Sequence, residues 1–513
     1  MRRIKEYCGV FGMFNADNAA RHIYYGLHAL QHRGQESCGI VTSTFDEHRQ
    51  RMVMPIHRDF GLVTDVFKDE SVFNDTLMGR SGIGHTRYST SGSADNFSNI
   101  QPFMVHYRGG NLALAHNGNL SNARELRNAF IERGTLFQST TDSELILHLI
   151  AQSRRSRSTD RIIDALTQIE GAFSLVMLTD DALIAVRDPN GFRPLALGRL
   201  GDPDQPGGPA YCVASETCAF DLIGATYIRD VRPGEMLIID RKTCQKGPEH
   251  FWSYQLAQPF GVSQCVFEYV YFSRPDSKVF GEMVDKVRRK IGKELAHDAP
   301  VPAVPDGDKP PIVISVPDSS NTATLGYVTE TNKTQGFNRC RYEIGLIRNH
   351  YVGRTFIAPG QGNRELKVRS KFNTVVGVLQ DRVVVMVDDS IVRGTTARQL
   401  VKMVRDAGAA EVHFRVSSPP VQSPCYYGMD FPSYDELLVN QFRHVDPVSG
   451  VDSHDIDAMA SWLGVDTLGY LTVDGLMRAV RAANPNGLGY CNACFSNKYP
   501  VPVDHGVLKD END

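Results

Sequence analysis

No stretch of this chain is apolar for long enough to cross a bilayer. A spanning helix needs about 20 such residues, and no run approaches that. Charge of one sign is not in excess either: the formal net charge is −4, which gives no electrostatic reason to expect nucleic acid or a membrane surface as partner. The opening MRRIKEY is basic but has no apolar core, so it is not a secretory signal. Cysteine is sparse, ten in 513 residues, which excludes a disulfide scaffold. Without a signal, these read as reduced thiols, metal ligands or a catalytic group in the cytoplasm. Internal repeats and long low-complexity tracts are missing. What is there is 42% hydrophobic and 22% charged, the balance of a globular enzyme, and the length calls for two or more domains.

The most informative stretch is VVVMVDDSIVRGTT, Val383 to Thr396. Its apolar run predicts a strand buried on both faces, inside a parallel sheet. Asp388 and Asp389 fall at the carboxyl end, where open α/β sheets bind ligands. Ser390 to Thr396 then form a loop rich in hydroxyls and N–H groups. It leads into TARQLVKMVRDAG, a helix stopped by Gly408. A loop meeting a helix N-terminus suits a phosphate, and two adjacent carboxylates suit a ribose diol or magnesium.

This segment resembles the phosphoribosyl diphosphate (PRPP) motif of type I phosphoribosyltransferases. In the first half, CGVFG, LQHRGQES, GHTRYST, HNGNL, TDSE and RDPNGFRPL resemble the N-terminal-nucleophile glutaminase domain of class II glutamine amidotransferases. Alone, each has a plain structural reading. Cys8 is a small buried hydrophobe, Arg87 a surface charge, Asn117-Gly118 a hairpin turn and Asp142 a helix cap. Six such motifs in order within about 190 residues are far more specific than any one. The two halves together resemble the amidophosphoribosyltransferase family. A sugar phosphate aminotransferase would carry sugar isomerase domains in place of VDDSIVRGTT, and a silent nucleotide-binding regulator has no use for the glutaminase set.

The resemblance implies a fold and an activity. The fold is an α+β domain of stacked antiparallel sheets between helices, then an α/β phosphoribosyltransferase domain with a parallel sheet. The implied division is a leader at residues 1–7, a glutaminase domain at 8–250, and at 251–513 a phosphoribosyltransferase domain with a C-terminal cluster-binding segment. The implied reaction opens de novo purine synthesis: glutamine, PRPP and water give 5-phosphoribosylamine, glutamate and diphosphate, with ammonia passed between two sites. Cys8 is the implied nucleophile and Asn117 with Gly118 the oxyanion hole. Arg87 and Asp142 are expected to take the α-carboxylate and α-ammonium of glutamine. For PRPP the implied set is Asp388, Asp389, Ser390, Arg393, Gly394, Thr395, Thr396, Lys367 and Lys371, with Mg²⁺ at Ser320, Asp388 and Asp389. Lys367 and Lys371 lie in APGQGNRELKVRSKFN, by itself a solvated charged loop and by resemblance a lid over the diphosphate. Purine nucleotides are expected as feedback inhibitors, and a homotetramer or homodimer as the assembly.

An internal cysteine has only an amide nitrogen, which cannot accept the thiol proton. An α-amine, with a pKa of about 7.7–8.0, can. Removal of residues 1–7 is therefore expected. Cys491 and Cys494 form a CxxC, and from spacing alone zinc and an iron–sulfur cluster are equally good readings. The contexts of Cys265, Cys425 and the CxxC resemble the subgroup of the family that holds a [4Fe-4S] cluster. Cys38, Cys212, Cys218, Cys244 and Cys340 read as ordinary buried thiols.

Overall fold

The computed structural model describes residues 7–88, 96–205, 207–257, 260–305, 309–349, 370–429, 431–445 and 452–503. The expected leader, apart from Tyr7, lies outside them, as does the basic stretch through Arg369 that includes Lys367.

The first half is built on two antiparallel sheets. In the first, of eight strands, Tyr7–Phe14 lies between Ala210–Ala214 and Ser81–Tyr88, and Ser37–Asp46 follows beyond. The second, of six, runs Trp252–Gln255, Glu235–Asp240, Ala182–Arg187, Gly171–Thr179, Gly110–Leu120 and Phe103–Tyr107. Alternation along these strands sends Val10, Val41 and Ile83 from one sheet against Ala113, Val176 and Leu237 from the other, all buried. The outer face of the first sheet is covered by the helix Ala19–Ala29, whose Ile23 and Leu27 pack onto it. The outer face of the second is covered by the helices Ser143–Gln152 and Ser158–Leu166. The expected α+β unit is therefore four layers deep. Its last strand, Trp252–Gln255, runs a few residues past position 250.

The second half holds a five-stranded sheet in the order Arg341–Tyr342, Ile312–Ser315, Val383–Asp388, Glu411–Val416, Thr467–Tyr470, every pair parallel. Val383–Asp388 is central, so both its faces are covered, and Val384 through Val387 are fully buried. The helix after it spans Thr395–Asp406, and Gly408 follows with φ +89. Here hydroxyl-rich sequence enters the helix earlier than expected: the loop is 390–394, and Thr395 opens the helix. A helix rich in Lys and Arg begins at Val284, just after Lys278–Val279 and Glu282–Met283 pair as a short hairpin.

That helix, Val284–Asp298, packs on Asn321–Thr334 through glycine. A Cβ on Gly292 would stand 1.8 Å from the carbonyl oxygen of Ala323, and one on Gly326 would stand 2.1 Å from that of Arg289. The contact is backbone on backbone, with no flexible side chain to yield. We predict that Gly292→Ala destabilises the protein by about 2 kcal/mol or more. Gly377→Ala, where nothing lies within 4 Å, should stay within about 1 kcal/mol of wild type. Denaturant unfolding of both variants decides it, and equal midpoints would refute the packing argument.

Candidate active sites

Cys8 is the second residue of its strand and pairs in register with Arg87. It is fully buried. Around it the fold collects the other expected residues. Asn117 and Gly118 lie inside the strand Gly110–Leu120, opposite Ser174 and Phe173, not in a hairpin turn. The Asn117 side-chain amide donates to Ser215 Oγ at 3.3 Å, and the same oxygen accepts from the Val10 amide at 3.0 Å. Ser215 thus ties the Cys8 strand to Asn117, although nothing in the sequence marks it. Gly118 has to be glycine: a Cβ would lie 2.0 Å from the Ala172 carbonyl oxygen.

Arg87 is buried and donates to the Asn99 carbonyl at 3.3 Å. The Asn99 side chain in turn bonds Thr140 twice, at 3.0 Å each, which brings the TTDSE segment against Arg87. Asp142 accepts from the Leu120 amide at 2.8 Å and lies 3.4 Å from His116 Nδ1. Burial opposes its charge, but His116, the Leu120 amide and the Ser143 hydroxyl together hold the carboxyl below its usual range. Cys8, Arg87, Asn117, Gly118 and Asp142, scattered over 135 residues of sequence, sit on neighbouring elements.

Glu144 does not form the capping box its spacing with Thr141 suggests. Its carboxylate instead accepts from the amides of Gln138 and Ser139, both at 2.8 Å, and from Ser139 Oγ. The turn before the helix folds back over the carboxylate, and no side chain caps the helix.

The second site forms where two parallel strands end. Asp388 closes its strand; Asp389 follows and is buried. From the adjacent strand end, Ser320 Oγ donates to Asp388 at 3.2 Å and Ser319 Oγ donates to Asp389. Ser390 Oγ donates to Asp389 at 2.7 Å. Burial first, and then Asp389's charge, raise Asp388 well above the usual carboxyl range. Burial raises Asp389, against the pull of Ser319, Ser390 and Arg288. Two carboxylates forced together in this way favour a cation or the hydroxyls of a diol between them. Gly394 caps the following helix with φ +72, and a Cβ there would meet Leu438 at 2.7 Å. Arg393 is turned to Glu436, Nε to Oε2 2.8 Å. Lys371 lies inside the described residues, and Asn349 donates to its carbonyl at 2.7 Å.

The four expected cluster cysteines lie on neighbouring segments. Gln264–Cys265 and Tyr490–Cys491 form a two-residue parallel pair, with Cys265 opposite Cys491. Cys494 follows on the next turn, and its carbonyl accepts from Gln422 and Ser423 at 3.0 and 3.1 Å, bringing in the Cys425 segment. Cys425 Sγ accepts from the Tyr427 and Met429 amides at 3.3 and 3.4 Å. Burial and each other's charge push the other three thiols up, Cys265 to about 12. Among the described residues, no three His, Cys, Asp or Glu side chains are grouped to hold a metal ion. None of the ten cysteines is in a disulfide, and Cys38, Cys212, Cys218, Cys244 and Cys340 are all buried.

A buried thiol beside an arginine and an asparagine on stacked antiparallel sheets, joined to a carboxylate pair at parallel strand ends, defines a class: glutamine amidotransferases fused to a phosphoribosyltransferase fold. Comparison with known proteins agrees. Residues 85–221 match the glutamine amidotransferase domain family. The chain is 42% identical over 505 residues to the amidophosphoribosyltransferase of Bacillus subtilis, covering 98% of this chain and 96% of that one. A solved structure described as the allosteric regulatory enzyme of purine biosynthesis superposes with a TM-score of 0.83 at 42% identity, over 98% of both chains. The glutamine PRPP amidotransferase of B. subtilis, complexed with ADP and GMP, does so at 0.82 and 41%, over 98% of this chain and 99% of that one. The chain belongs to the amidophosphoribosyltransferase family and is a glutamine-dependent transferase of purine biosynthesis.

The Glu144 turn yields a pH test. Burial opposes its charge, yet His148, the two amides and the Ser139 hydroxyl hold its carboxyl at about 2, below the ordinary 4.5. A carboxyl depressed on folding contributes stability above its unfolded pKa, and loses it as pH falls through the folded value. Glu144→Gln should therefore lower the melting temperature at pH 7. The gap from wild type should narrow as pH falls below about 4.5. A gap that stays constant from pH 7 to pH 3 would refute this account of the turn.

Proposed function

We propose that the chain makes 5-phosphoribosylamine, glutamate and diphosphate from glutamine, PRPP and water, at two sites that share ammonia. The observation that carries this reading is the gathering of Cys8, Arg87, Asn117 and Asp142 from separate motifs onto adjoining elements. Cys8 attacks the side-chain amide. Asn117, through its side-chain amide, and Gly118, through its N–H, stabilise the oxyanion. Arg87 presents a planar fork to the α-carboxylate, and Asp142, kept ionised, takes the α-ammonium. We place the glutaminase unit at 8–250 and the phosphoribosyltransferase unit with the cluster segment at 251–513, the strand Trp252–Gln255 crossing that boundary to pair with the first unit's sheet.

In the second unit Asp388 and Asp389 hold the ribose hydroxyls, and Ser390 to Thr396 cradle the 5-phosphate at the start of their helix. Arg393 reaches that phosphate only by leaving Glu436. Lys371, with Lys367 from outside the described residues, neutralises the departing diphosphate. Ser320, Asp388 and Asp389 offer hard oxygen ligands, and the raised carboxyls fit a dication. Mg²⁺ bound there supplies charge neutralisation for the diphosphate.

Cys265, Cys425, Cys491 and Cys494 fit a [4Fe-4S] cluster. Thiols gathered on neighbouring segments become favourable ligands once a metal takes up their charge, and the two amides aimed at Cys425 suit a charged sulfur. The cluster would tie the end of the chain to the second unit. We further propose a cytoplasmic homotetramer or homodimer inhibited by purine nucleotides. The solved relative with ADP and GMP supports the nucleotide part. The active form starts at Cys8, whose amine then serves as base.

Two experiments test the reading. Cys8→Ser should abolish glutamine-dependent synthesis and spare synthesis from ammonia. Asp389→Ala should abolish both routes to phosphoribosylamine while some glutaminase persists. Full synthesis by the Asp389 variant would refute the second site. Intact mass and metal content of active protein should show a chain lacking residues 1–7 and about four irons per chain. An active chain beginning at Met1, or stoichiometric zinc without iron, would overturn the leader or the cluster respectively.

A further inference from the structure

Four charged side chains meet between the two halves, with His32 Nε2 2.7 Å from Glu216 at the edge of the group. Arg33, Arg193, Glu216 and Glu268 are all fully buried, so two positive charges meet two negative ones away from water. Arg33 is the hub. Its Nε donates to the carbonyl oxygen of Cys8 at 3.2 Å. Its Nη2 and Nη1 donate to the two Glu268 oxygens at 2.8 and 3.2 Å, and Nη1 also pairs with Glu216. Its Cζ lies 4.3 Å from the centre of the Phe272 ring. Arg193 Nη2 stands 3.1 Å from Glu268 Oε1, the oxygen that also accepts from Arg33 Nη2. Glu216 and Arg33 come from the first half; Glu268 comes from the second.

We propose that Glu268 is a positioning residue for the nucleophile, acting through Arg33. The proposal rests on the reading of Cys8 above. A guanidinium gripped by two carboxylates has its plane fixed, and the bond from Nε to the Cys8 carbonyl follows from that plane. A mere tie between the halves would need no bond to residue 8. The charge balance also reaches the site. Without Glu268's charge, Arg33 and Arg193 leave an unbalanced positive field beside Cys8, which favours thiolate and neutral amine. Without Arg193's charge the field reverses. Other titratable groups on the elements packed around the start of the Cys8 strand are His32, His85, Arg87, His116 and Glu216. Of these, His85 is held to about 3 by burial and stays neutral through the working range.

The test measures the pH dependence of glutaminase kcat/KM in Glu268→Gln and Arg193→Met, with ammonia-dependent synthesis as the control for the other site. Glu268→Gln should lower glutaminase kcat at least about tenfold and move the acid limb down by about one pH unit. Arg193→Met should move that limb up. Glu268→Asp should restore the wild-type limb, and all three should keep ammonia-dependent synthesis within about twofold. An acid limb unmoved in both charge-removing variants, or moved the same way in both, overturns the proposal. So does a parallel loss of both half-reactions. If Glu268→Gln does not fold, an unmoved limb in Arg193→Met alone overturns it. A Cys8→Ala chain that still hydrolyses glutamine refutes the underlying reading instead, whatever the Glu268 variants do.

Discussion

A run of hydrogen bonds joins the two candidate sites, and much of the rest is arranged around it. Asp389 accepts from Ser319, whose carbonyl accepts from Arg288. Arg288 also donates to the Ser273 carbonyl, and the Ser273 hydroxyl donates to Glu268. Glu268 holds Arg33, which holds the carbonyl of Cys8. Buried charges of this kind add little net stability, but removing one partner costs several kcal/mol because the other is left uncompensated. The constraint is thus on relative position. Glu268 keeps its place only while the second half is docked, and Arg33 keeps its plane only while Glu268 is there.

The contact between the halves is continuous beyond that run. Phe192 stacks on Tyr427 at 4.2 Å. Asn119, one residue past the oxyanion candidate, donates to the Tyr426 carbonyl at 2.9 Å, and Gly428 lies against Gly118. These residues flank Cys425, so the proposed cluster segment presses directly on the strand that carries Asn117. The strand that carries Asn117 and Gly118 is walled on one side by the second half.

Much of this was legible in the chain. The run VVVMVDD predicts a buried parallel strand ending in carboxylates, and four apolar residues in a row can be buried only where both faces are covered. The stop at Gly408 follows from a local rule and stands where expected. The local rules failed where a distant group outbid a near one. Asn117-Gly118 makes a good turn in isolation, but here it is drawn straight by nine-residue pairing with the Gly171–Thr179 strand. Thr141 and Glu144 have capping spacing, but the amides of Gln138 and Ser139 took the carboxylate.

Sequence alone determined the types of chemistry: a thiol, a double carboxylate before a helix, a CxxC, and motifs in the order of one family. These are covalent facts, and the local ones depend on backbone preferences that act within a few residues. Only the tertiary structure decided what those groups face. It put Arg87 opposite Cys8, brought Ser319 and Ser320 to the aspartate pair, and drew Cys265 and Cys425 to the CxxC. It also balanced Arg33 between carboxylates from two halves of the chain. The reason is physical. Burial, charge compensation and strand pairing are settled by whichever atoms meet in the folded chain, and residues 8 and 268 meet only once both units have folded.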